Sequence, residues 1–196
     1  MADPLYLSLW FSESEAAEIL VSALSVLRQF PFAKAMPGIT NLALHPVSWN
    51  EATILERRFS PGATPEEAIA IAADLLHEDY AYVFEANWDL WTPAAEGAWG
   101  LQPAPVKLIA RGAEFEEGEA EAQGQLQVDF GLDPPFLYEE LELTAELESR
   151  VRANVQMLVD FITRVERNVP LATRLLWSES DENLAQKLVS RLQRVH

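Results

Sequence analysis

Glu85, Asn87 and Asp89 stand two residues apart within Tyr80–Trp91, a stretch in which aromatic and polar residues alternate. In an extended strand that spacing puts all three on one face, with Glu85 and Asp89 roughly 13 Å apart. Paired carboxylates can do general acid–base work, but this separation is too long for the pair a glycosidase uses. Asp129, in a second strand-like segment, could close the distance, and His45 could then supply a base. Glu85, Asp89, Asp129 and His45 are therefore the candidate catalytic group. The competing reading is a solvated polar face of a sheet.

Other chemistries find less material. The three histidines, His45, His77 and His196, share no ligand spacing with one another or with a carboxylate, so no metal and no other cofactor is expected. The chain has no cysteine, which removes disulfides, thiolate nucleophiles and zinc–thiolate sites. No Gly-x-Ser-x-Gly elbow occurs, and Ser48 near His45 is a poor substitute. Eight glycines form neither a Gly-x-Gly-x-x-Gly run nor a phosphate-binding loop.

Binding residues are easier to nominate. Trp88 and Trp91 flank Asp89, Trp99 follows, and Arg57 lies in an earlier basic segment. Aromatic rings around carboxylates line sites for sugars and cations, or anchor protein interfaces. Against this, Trp88 could be a core residue and Trp91 the cover of a sheet end. Gly112–Ser149 holds twelve acids and no lysine or arginine, against a net charge of −17 for the whole chain. Glu116, Glu117, Glu119 and Glu121 of that run fall in the loop 116–124, which reads as an acidic hairpin suited to a basic partner. The last helix, with Lys187, Arg191 and Arg194, is basic and could instead dock beside those acids within the molecule.

So acidic a chain is a poor ligand for nucleic acid or for anionic membrane surfaces. Its N-terminal Met-Ala-Asp-Pro lacks the basic region of a signal peptide, and a cytoplasmic location is expected. The hydrophobic fraction of 49% is ample for a core. In composition the chain is similar to bacterial toxin-immunity proteins, which include small, acidic, tryptophan-rich α+β members; that likeness extends to no site residue.

The elements that must position these groups follow from periodicity. Leu5–Phe11 predicts a strand with Leu5, Leu7, Leu9 and Phe11 inward, and Ser12 with Glu15 predicts a capped helix after it. Ile39–Leu44 and Ala52–Phe59 predict two more strands, with a break at Pro46. Thr64-Pro65-Glu66-Glu67 is a helix start with cap, N1 proline and N3 glutamate in place. Tyr80–Trp91 predicts a long central strand, and Val106–Phe115 and Gln125–Gly131 two further ones. Thr144 opens a long helix ended by Pro170, Arg174–Trp177 is a short strand, and Ser178 with Asp181 caps a final helix.

Strand, helix, strand, strand, helix, strand is the order of a ferredoxin-like βαββαβ core. The expectation is one α+β domain over 1–196, a two-layer sandwich. Residues 1–91 form the core, 105–131 an acidic hairpin extension and 144–196 a C-terminal helical part. The function expected is a protein–protein interaction module that binds a basic partner through the acidic hairpin. The alternative is a small-molecule binder or carboxylate enzyme with its pocket at the end of the 80–91 strand. A homo-oligomer is compatible with either.

Overall fold

The computed structural model describes residues 2–13, 18–94, 98–142, 144–179 and 183–193. Seven strands form one sheet: β1 (Pro4–Trp10), β2 (Ile39–Pro46), β3 (Leu55–Arg58), β4 (Tyr80–Pro93), β5 (Trp99–Arg111), β6 (Leu126–Leu132) and β7 (Thr173–Ser178). Their order across the sheet is β3-β2-β4-β5-β6-β1-β7, and every neighbouring pair is antiparallel. The helices are α1 (Ile19–Leu27), α2 (Pro65–Ala73), α3 (Glu119–Gln123), α4 (Pro134–Leu137), α5 (Ala145–Asn168) and α6 (Leu184–Gln193). Among the described residues none is long and apolar enough to cross a membrane.

A mixed α+β architecture is therefore present, but a ferredoxin-like core is not confirmed. Strand β1 pairs with β6 and β7, and both β5 and β6 separate it from β4. Strands β5 and β6, expected as an appended hairpin, occupy the middle of the sheet. Alternation of side chains shows which face a strand buries; it carries no information about which neighbour that strand chooses.

One face of the sheet is dry. Leu5, Leu7 and Leu9 of β1, Leu42 and Leu44 of β2, Tyr82 to Leu90 of β4 at every second position, and Leu126, Val128 and Phe130 of β6 all join one core. Against them lie Leu20, Ala23 and Leu27 of α1, Ala68, Ile69 and Ala72 of α2, and Leu158, Phe161, Ile162 and Val165 of α5. These helical residues recur three and four apart, as an amphipathic helix on a sheet requires. The helix starts were legible too. Thr64 accepts the Glu67 N–H at 3.2 Å while the Glu67 carboxylate accepts the Thr64 N–H at 2.7 Å, and Thr144 accepts the Leu147 N–H at 3.1 Å. Glu15 and Asp181, the other two expected capping partners, lie outside the described residues, as do His196 and Arg194; the side chain of Arg191 is likewise outside them.

Two boundaries differ instructively. Strand β5 begins at Trp99, seven residues before the expected Val106, and makes a long hairpin with β4 through Pro93–Trp99 and every pair inward. Pro103 and Pro105 lie within this added stretch. They fit because β6 pairs only with residues 107–110 of β5, so residues 99–106 have a neighbour on one side alone. Conversely β3 is only four residues long, at the sheet edge.

The last helix is fastened by charge. The Lys187 ammonium is buried between the Asp3 and Asp133 carboxylates, the latter at 2.7 Å. Asp3 and Asp133 also bond each other through backbone N–H groups, at 3.0 and 2.9 Å. One of the twelve acids is thus matched by the basic helix, but it is Asp133, outside the acidic loop.

Candidate functional site

The second face of the sheet carries the polar residues. Among the described residues α1, α2, α4, α5 and α6 all place buried side chains in the core on the other face. The strand register aligns one row straight across this face: Arg58, Asn41, Glu85, Lys107, Asp129, Tyr6 and Trp177. Each is on a different strand, so neighbours in the row stand about 4.8 Å apart. A cavity of about 500 Å³ opens over this row, and it is walled on one side by Trp49 and the short helix α3.

Two of the expected carboxylates, Glu85 and Asp129, and the expected base His45 all line this cavity. Lys107 stands between the carboxylates, with its ammonium 3.9 Å from Glu85. Two strand spacings put the Glu85 and Asp129 backbones roughly 10 Å apart. The Glu85 side chain remains 36% exposed and that of Lys107 50%. A solvated Glu–Lys pair lacks the dry environment that tunes a carboxylate for acid catalysis. His45 packs edge-on to Trp49 at 5.0 Å, and burial, then the Lys107 charge, lowers its pKa. The shift favours the neutral imidazole, and among the described residues its buried Nδ1 has no hydrogen-bond partner.

Asp89 is not part of this group. It shares the face of β4, but it accepts the Lys34 backbone N–H at 3.0 Å along the part of β4 that extends beyond β2. Its role there is to tie down the segment after α1.

The acidic loop is a wall. Its residues form one helical turn folded toward the sheet, where a plain hairpin loop was expected. The Glu119 carboxylate accepts the Trp49 indole N–H at 2.8 Å and meets Arg111 at 3.2 Å; Glu116 accepts the Trp49 backbone N–H at 3.1 Å. Arg111, 3% exposed, also donates to Gln127 at 2.8 Å and to the Gly124 carbonyl at 3.2 Å. Burial lowers the Arg111 pKa, and Glu119 opposes that shift. Glu116 and Glu119 are consumed within the molecule, whereas Glu117 and Glu121 face solvent.

The remaining binding candidates scatter. Trp88 is fully buried, stacked on Phe130 at 5.2 Å and near Phe30 at 5.9 Å. Trp91 lies under the Arg150 guanidinium at 3.8 Å, at the far end of β4. Trp99 meets Tyr138 edge-on at 5.2 Å; burial pushes the Tyr138 phenol up to about 12, and its hydroxyl donates to the Trp91 carbonyl. Arg57 is opposite Leu42 in the register, hence on the helix-bearing face, and it packs over Phe59. The cavity lies over the middle of the 80–91 strand.

Sequence reasoning missed Tyr6, Trp49, Lys107, Arg111 and Trp177. Tyr6 and Trp177 pack with centroids 4.8 Å apart, and the Trp177 indole donates to Ser8 at 2.9 Å. The outward positions of β1 are the one available signal, since Tyr6, Ser8 and Trp10 alternate with the core leucines. No known family, curated protein or solved structure matches the chain.

Proposed function

We propose that the protein is a binding module that takes a basic segment of a partner protein on the open face of its sheet, beside the acidic wall of α3. The observation that carries this reading is the charge of the cavity. Glu85, Glu119, Asp129 and Glu179 line it against Lys107 and Arg111. Glu119 answers Arg111 and Glu85 stands by Lys107, which leaves an acidic excess on an aromatic floor. Opposite charge across an interface speeds encounter and sets register. The solvated Glu85–Lys107 pair favours binding over acid–base catalysis. A small cationic molecule is the second reading, because about 500 Å³ is within the range of small-ligand sites.

The test is calorimetric titration with a lysine- and arginine-rich peptide and with an acidic peptide of equal length. Binding of the basic peptide alone, weakened between about 0.1 and 1 M salt as screening grows, supports the reading. Equal binding of both peptides, or binding of neither, would sink it.

A further inference from the structure

Tryptophan, carboxylate and arginine recur together in this chain. Arg150 lies over Trp91 at 3.8 Å and pairs with Glu146 at 3.5 Å. Arg111 lies over Trp49 at 5.9 Å and pairs with Glu119 at 3.2 Å. A third grouping has the ring and the acids without the cation. Trp177, Tyr6, Asp129 and Glu179 converge on the β6–β1–β7 side of the cavity. Asp129 accepts the Gly131 N–H at 2.8 Å, and among the described residues neither Asp129 nor Glu179 has a cation within ion-pair distance. Both acids act on the Tyr6 hydroxyl, whose pKa is raised by burial, then by Asp129 and Glu179.

We propose that this grouping is a guanidinium subsite, in which an arginine side chain of the basic partner lies on the Trp177 indole and pairs with Asp129 and Glu179. The inference rests on the binding reading above and names the group that reading leaves open. Guanidinium is favoured over ammonium because it is planar, stacks on aromatic faces, is weakly hydrated and meets carboxylates with two parallel donors. The indole is already held by Ser8, so little side-chain freedom is lost when a cation arrives.

The experiment follows the indole N–H resonance of Trp177, assigned by its loss in Trp177→Phe. The ligands are the blocked amides of arginine, lysine and citrulline, and an arginine-containing basic peptide. Expected are a saturable shift with arginine amide, a several-fold weaker response to lysine amide and almost none to uncharged citrulline. Asp129→Asn and Glu179→Gln should each weaken the arginine response several-fold. Glu179 is exposed, so its variant tests the subsite even if Asp129→Asn disturbs the Gly131 contact. Equal shifts with arginine and citrulline overturn the subsite, because stacking alone would explain them. A peptide that binds while Trp177 stays still, with affinity unchanged in both variants, overturns the subsite and leaves the broader reading standing. Binding of arginine amide as tight as that of the peptide keeps the subsite and removes the protein partner. Absence of any binding removes both.

Discussion

Asn154 of α5 occupies the place of a missing strand beside Trp91. Its side-chain oxygen accepts the Trp91 N–H at 2.8 Å and its amide donates to the Trp91 carbonyl at 2.9 Å. Strand β2 pairs with β4 only as far as Ala86, so this edge of β4 would otherwise present unpaired backbone. A third bond, to the Pro135 carbonyl at 2.7 Å, draws α4 into the same knot. Replacing Asn154 by Leu keeps the volume and strands the Trp91 N–H. That group alone should cost about 1–3 kcal/mol, read as a lower urea midpoint with unchanged slope. An unchanged midpoint would show that the contact is dispensable.

Lys187 bridges two buried acids, Asp3 and Asp133, so its removal takes away the cation they share. Lys187→Met should destabilise by about 3–5 kcal/mol. Adding Asp3→Asn and Asp133→Asn to it should recover most of that loss, because the charge is then gone. Burial pulls the Lys187 pKa down, but hydrogen bonds and attraction from Asp133 and Asp3 outweigh it, so the net shift is upward. The stabilisation is therefore complete below the ordinary lysine pKa and is lost as pH rises through the higher folded value. Thermal melts across alkaline pH should show that decline in the wild type and not in the triple variant.

His45 has the opposite sign. Its folded pKa is lowered by burial and then by Lys107, so the unfolded chain binds the proton more readily. Stability should be full above the ordinary histidine value of about 6.5 and fall as pH drops below it. His45→Phe keeps the ring against Trp49 and removes the proton. Its urea midpoint should change less than that of the wild type between about pH 7 and pH 5. Parallel profiles would show that His45 contributes nothing to the slope.

The acids of the 116–124 segment should separate by role. Glu117→Gln with Glu121→Gln should leave the melting temperature unchanged and weaken a basic peptide, most at low salt. Glu119→Gln should lower stability, since it removes the charge facing the buried Arg111. Replacing all four together would confuse the two effects.

Much of the fold was legible because it depends on local pattern. Leu5, Leu7 and Leu9 had to face one way, Thr64 had to start a helix, and Tyr82 to Leu90 had to be buried together. The site was legible only in part. Glu85 and Asp129 were identifiable as outward residues of strands, but their alignment with Tyr6 and Trp177 depends on β1 entering the sheet between β6 and β7. That is a long-range choice, and one residue of register would send Tyr6 to the core. Trp88 misled because a tryptophan next to a carboxylate reads the same whether it faces solvent or the core. Glu116 and Glu119 misled because a charge run gives no sign of the single arginine it will enclose.

The position of β1 also sets an order in time. It ends at Trp10, yet its neighbours do not begin until Leu126 and Thr173. During synthesis this leucine-rich strand waits, without either edge matched, while β2, β3, β4 and β5 can already pair among themselves. Closure of the sheet is then a late, non-local event of the kind that slows folding and leaves an apolar strand open to wrong partners. The strand that completes the polar face of the sheet is the one the nascent chain must shelter longest.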